Sequence, residues 1–170
     1  MNRRASLSYC CLTLAVLLTG CGYHAGQVFD KTVATVALPI FENRTFYRGV
    51  EFDLSEALAK QIESTTPYKV VDESVADTVL VGTVTRVEKR LLGRQFGTGL
   101  PQEIQVVVVA SFEWKNLRTG EIMRKRSRME GTHEYIPTRT VGEPFESARR
   151  GAIDQLSVQI VDTMRGNWGR

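Results

Sequence analysis

Thr32 to Leu38 is a β-branched, apolar run stopped by Pro39, which predicts a strand. The next residues, Ile40-Phe41-Glu42-Asn43-Arg44-Thr45, read as a structured turn in which Asn43 and Thr45 can bond nearby backbone. From Val50 to Ser64 the apolar residues Leu54, Ala57, Leu58 and Ile62 recur at helical steps, with Glu51, Asp53, Glu56 and Lys60 elsewhere and Pro67 just beyond. That is an amphipathic helix with one buried face. Tyr68 to Val71 offers a short strand, and Asp77 opens a long β-branched run, Thr78 to Val87, in which Gly82 marks a bulge or a close backbone approach. Leu91 to Pro101, with Gly93, Gly97 and Gly99, reads as a hairpin loop. Gln102 to Trp114 then alternates, with Ile104, Val106, Val108, Ala110, Phe112 and Trp114 on one face. Asn116 to Gly120 turns the chain into a further strand, Glu121 to Glu130, with Gly120 supplying a positive φ. Pro144 opens a last helix whose stripe is Phe145, Ala148, Ala152, Leu156, Ile160 and Met164. Two one-faced helices and a mostly antiparallel sheet of four to five strands can bury their apolar faces only against each other. The pattern therefore predicts an α+β two-layer sandwich in the order β-α-(β)-β-β-β-α.

The N-terminus follows a different pattern. Arg3 and Arg4 precede the apolar run Leu12 to Leu18, which is too short for the roughly 20 residues of a spanning helix and fits a cleaved export signal. Leu18-Thr19-Gly20-Cys21 closes it and resembles the lipobox of bacterial lipoproteins, in which the cysteine thiol takes a diacylglyceryl group and the new amino terminus is acylated. Cys21 is thus the expected lipidation site. Residues 1–20 are read as a lipoprotein signal peptide, 21–31 as a lipid-anchored tether and 32–170 as one domain. Gly22 stands where an Asp commonly retains such proteins at the inner membrane, so the outer membrane is the expected destination. Several acyl chains, at about 0.8 kcal/mol per buried methylene, hold a protein on a membrane surface almost permanently. Cys10 and Cys11 leave with the signal, which removes any disulfide from the mature chain.

Composition adds little. Without Arg3 and Arg4 the formal charge of +3 falls close to balance, which argues against nucleic acid as a partner, and 42% hydrophobic with 24% charged residues is ordinary for a globular domain. His24 and His133 have no carboxylate or cysteine at ligand spacing, so neither a metal nor a cofactor is expected. His133 beside Glu134 is too common a pair to signal a nucleophilic site. The glycines from Gly93 to Gly99 lie between strands and precede no helix, so the phosphate-cradling arrangement is missing. One charge pattern carries a functional expectation. Arg124, Arg126 and Arg128 alternate along a strand and are expected on one face, and Arg86 and Arg90 share a face of another. Such rows grip phosphate bidentately, and equally they occur as solvated faces or guarded sheet edges.

Cys21-Gly22-Tyr23, the strand Val33 to Leu38 closing on Pro39 to Thr45, the helix around Phe52 to Ile62 and the Thr119-Gly120 hairpin together resemble the LptE family of lipopolysaccharide-assembly lipoproteins. The Pro-x-Phe-x-Asn-x-Thr pattern of Pro39 to Thr45 also occurs in envelope domains of the TolB amino-terminal type. The LptE resemblance implies a non-enzymatic lipoprotein at the periplasmic face of the outer membrane, which plugs an LptD-like β-barrel and helps pass lipopolysaccharide to the surface. It makes Arg124, Arg126, Arg128, Arg86 and Arg90 the candidate lipopolysaccharide contacts. A periplasmic scaffold of TolB-like character and a cell-wall hydrolase are the alternative classes.

Overall fold

The structure, a computed structural model, describes residues 29, 32–94, 101–136 and 145–165. The elements run β1 (Thr35–Ala37), β2 (Glu42–Asn43), α1 (Val50–Thr65), β3 (Lys69–Val71), β4 (Thr78–Arg94), β5 (Pro101–Asn116), β6 (Ile122–Tyr135) and α2 (Phe145–Met164). They form the predicted two-layer α+β sandwich. The sheet has six strands in the order β3-β1-β4-β5-β6, with β2 beside β4. The long pairings β4·β5 and β5·β6 are antiparallel. The short ones are parallel: β1 with β3, β1 with β4, and β2 with β4. A helix returns the chain between β1 and β3, and such a crossover allows parallel pairing where a tight hairpin does not.

Both helices cover one face of the sheet. Val50, Leu54, Leu58 and Ile62 of α1 and Ala148, Ala152, Leu156, Ile160 and Met164 of α2 share a core with Leu80, Val84 and Val87 of β4. The predicted alternating face of β5 joins them, with Val106, Val108, Ala110, Phe112 and Trp114 buried. Two glycines set the spacing of the layers. At Gly82 the Phe41 ring lies where a Cβ would be, so this glycine marks a close approach. At Gly131 the backbone of α2 comes equally close, at Ala152 and Leu156. Gly49, at φ 85°, starts α1, and Gly120, at φ 74°, makes the turn between β5 and β6 as expected.

Two strands differ from the sequence pattern. β4 continues through Leu91 to Arg94, residues expected in the loop, because Leu91 still pairs with Ile104. β4 also carries a bulge between Val84 and Arg86, three residues past Gly82. β6 is bulged twice, once between its pairings Arg124↔Trp114 and Ile122↔Lys115, and again between Arg126↔Phe112 and Met129↔Ala110. The signal peptide, Cys21, His24, Pro144 and the glycine-rich segment 95–100 lie outside the described residues.

Candidate functional site

The second bulge of β6 redistributes the predicted arginine row. Arg124 and Arg126 pair with Trp114 and Phe112, residues of the helix-covered face. Between Arg126 and Met129 two residues, Ser127 and Arg128, oppose Ser111 alone, so Arg128 moves to the opposite, open face. There it bonds Glu130, whose strand partner is Val109. The expectation that Arg124, Arg126 and Arg128 project together is therefore corrected: an extra residue reverses the sidedness of everything beyond it. The same bulges bring Met123 and Met129 to the core side, where both pack against the buried cluster.

Arg124 is engaged with α2. Its Nε donates to the Thr163 carbonyl at 3.2 Å and its Nη1 to the Met123 carbonyl at 2.7 Å. A cation on the last carbonyls of a helix offsets the negative end of its dipole. Arg126 is exposed and donates to the Lys125 carbonyl at 3.3 Å.

Arg86 and Arg90 do share a face, the open one, and Arg128 joins them across the sheet. The link is a ladder of ion pairs. Arg86 lies 3.7 Å from Glu88, Arg90 lies 2.6 Å from Glu88 and 3.8 Å from Glu130, and Arg128 closes on Glu130. A hydrogen bond from Arg128 first, then the charges of Arg128, Arg90 and Arg86, hold the Glu130 carboxyl below the ordinary carboxylate range. Val107 and Val109 lie within this ladder and are buried although no helix among the described residues covers them; Glu88 and Arg86 flank them on β4, Thr132 and Glu130 on β6. Long charged side chains shield apolar positions in this way while their heads stay wet. The arginines here are 41–59% exposed, so their pairs are exchangeable rather than fixed. Farther along the same face is a shallow groove of about 640 Å³, lined among others by Val81, Thr83, Ser111, Glu113 and Lys125.

The Pro39 to Thr45 turn is held from within. Asn43 Oδ1 accepts from the Thr45 N–H and hydroxyl, both at 2.8 Å, and its Nδ2 donates to the Tyr47 carbonyl and to Glu51. The backbone bonding expected of Asn43 is present, and the turn delivers the chain into α1. Asp77, read from sequence only as the start of a strand, clasps β1. Its Oδ2 accepts from Ala34 N, Thr35 N and Thr35 Oγ1 at 3.0–3.1 Å, and Arg118 lies 3.0 Å from Oδ1. The Ala34 N–H foremost, then the Thr35 hydroxyl, hold this carboxyl below its ordinary range. No pattern of residue types announces these long-range bonds.

Among the described residues no group of three or more His, Cys, Asp or Glu is placed to hold a metal ion. His133 lies on the helix-covered face of β6, its ring against Gly151 of α2. No helix among the described residues is long and apolar enough to cross a membrane.

Comparison with known proteins gives one family match: the model described as LptE, lipopolysaccharide-assembly, matches residues 33–165. No curated protein matches. Among solved structures, protein XCC0632 from Xanthomonas campestris superposes with a TM-score of 0.57 at 11% identity, covering 82% of this chain and 86% of its own. The PelC dodecamer subunit from Paraburkholderia phytofirmans gives 0.53 at 14% identity, with coverages of 83% and 96%. The hypothetical protein CT253 from Chlamydia trachomatis gives 0.53 at 10% identity, with 76% and 94%. At these identities the structures show the shared fold alone.

Proposed function

The chain belongs to the LptE family of lipopolysaccharide-assembly proteins, and from that we propose that it is anchored through acylated Cys21, binds an LptD-like barrel directly, and offers lipopolysaccharide the open face of its sheet. Family membership makes it a non-enzymatic lipoprotein of lipopolysaccharide assembly at the periplasmic face of the outer membrane, which sets aside the hydrolase reading. In the proposed arrangement residues 1–20 are cleaved, 21–31 tether the lipid, and the domain from 32 onward carries the contacts.

The observation that carries the lipid contact is the ladder Arg86–Glu88–Arg90–Glu130–Arg128, three guanidiniums on one uncovered face. Guanidiniums match phosphate bidentately, and ion pairs whose arginines are 41–59% exposed exchange partners at small cost. Arg126 is exposed on β6 but sits opposite Phe112 on the other side of the sheet, and Arg124 is occupied at the end of α2.

The arginines and Glu130 supply a test with opposite signs. Changing Arg86, Arg90 and Arg128 to Gln weakens binding of lipopolysaccharide in a titration at low ionic strength. Glu130→Gln, which takes the ion pair from Arg128 and leaves Arg90 with Glu88 alone, strengthens it. Equal affinity for wild type and both variants would reduce the ladder to a solvated surface. For the anchor, Cys21→Ala abolishes metabolic labelling with a fatty acid, and labelling equal to wild type would remove the lipid from the proposal.

A further inference from the structure

β4 pairs with β5 from Thr78 to Arg94. Its other edge is covered only in part. β1 meets it at Thr78 and Val79 and β2 at Thr83 and Val84, and beyond Val84 no described strand lies against it. The direction of the backbone groups there follows from two bonds. Arg44 N donates to the Val84 carbonyl at 3.0 Å, so Val84 turns its backbone toward β2. After the bulge, the Val109 carbonyl accepts from Thr85 Oγ1 at 3.2 Å and faces β4, so its partner Arg86 turns its backbone toward β5. In an antiparallel ladder the direction alternates residue by residue. Val87, Lys89 and Leu91 therefore point their N–H and C=O groups outward, in a register unbroken from Arg86 to Leu91.

The other edges are guarded or short. β6 is bulged twice and its Thr132 N–H takes the Gln155 side chain, while β3 has three residues. Charge decides what the β4 edge can accept. Along β4 itself Arg86, Lys89 and Arg90 are opposed by Glu88, with Glu130 of β6 reaching Arg90 from across the sheet, so cations still outnumber carboxylates at this edge. A second copy pairing edge to edge would set these cations against one another, whereas a strand carrying Asp and Glu is complementary. Leu91 and Leu92, 43% and 47% exposed, add apolar area beside it.

We infer that the β4 edge from Val87 to Leu91 docks an extended acidic segment of the barrel partner, which joins the sheet as an added strand through main-chain hydrogen bonds. This rests on the reading that the chain works on such a barrel.

Hydrogen exchange resolved to single amides, on the full chain alone and co-purified with the barrel, tests it. In the free chain the amides of Val87, Lys89 and Leu91 exchange fast, while those of Arg86, Glu88 and Arg90 are already protected by β5. In the complex the first three slow by an order of magnitude or more, since pairing closes them to solvent. A side-chain contact alone would not give this alternation. Leu91→Pro removes one outward N–H without touching the β5 ladder and loses the barrel; Leu91→Ser keeps that N–H and retains it. Unchanged exchange at the three amides with the barrel bound overturns the inference and leaves the proposed function standing. Protection already present in the free chain overturns it too, because the edge is then filled by the chain's own residues. Failure of the wild-type chain to co-purify a barrel overturns both.

Discussion

Gly131→Ala measures how closely α2 is seated on the sheet. Gly131 pairs with Val108 on the core side, and an added Cβ would stand 2.6 Å from Leu156 Cβ and 2.8 Å from Leu156 N, with the Ala152 carbonyl closer still. Two of these are backbone atoms of α2, so no change of rotamer relieves the contact. The helix must retreat, and with it Ala152, Leu156 and Ile160, all fully buried. Overpacking of this kind costs about 1–3 kcal/mol, and a contact against backbone falls at the upper end. The lost freedom of the unfolded chain returns about 0.4–1 kcal/mol. The net loss is about 2 kcal/mol, or roughly 4–8 °C in Tm for a domain near 150 residues. Gly93→Ala is the control: among the described residues nothing lies within 4 Å of its added Cβ, and its φ is not positive, so that variant is as stable as wild type or slightly more so. Urea denaturation followed by circular dichroism, on the chain starting after Cys21, reads both. Should Gly131→Ala be no less stable than Gly93→Ala, the close seating of α2 is refuted.

Three further outcomes are expected. Asp77 has its carboxyl held low by the Ala34 and Thr35 bonds, so its contribution to stability is present above the unfolded value near 4 and is lost as pH falls through the lower folded value; melting from pH 7 to pH 3 shows the wild-type advantage over Asp77→Asn shrinking on the acid side, and a constant difference contradicts this. Arg124→Ala costs about 1 kcal/mol through its bond to the end of α2, whereas Arg128→Ala, exposed on the open face, stays within about 0.5 kcal/mol; equal losses would contradict the opposite placement of the two side chains. Melting is the same with and without reductant, since the proposed cleavage before Cys21 leaves that cysteine alone; a fall in Tm under reductant would place the cleavage site elsewhere.

The sequence by itself determined the two helices, the alternating face of β5, the hairpin at Gly120 and the two-layer arrangement. Each rests on a local period: Leu54, Leu58 and Ile62 state their own face, and Val106 to Trp114 state theirs. It also marked Arg86 and Arg90 as sharing a side, because no bulge separates them. What only the tertiary structure decided is sidedness across a bulge and bonding at long range. Strict alternation put Arg124, Arg126 and Arg128 together, yet the extra residue beside Ser111 divides them and couples Arg128 to Arg90 through Glu130. A trace of the separate β4 bulge was present in the chain, since the apolar Val84 and Val87, both buried, stand three residues apart, a step that a regular strand cannot place on one face. The clasp of Asp77 on Ala34 and Thr35 left no such trace. Periodicity counts residues along one strand, whereas register and hydrogen-bond partners belong to the pairing of strands that the local pattern does not contain.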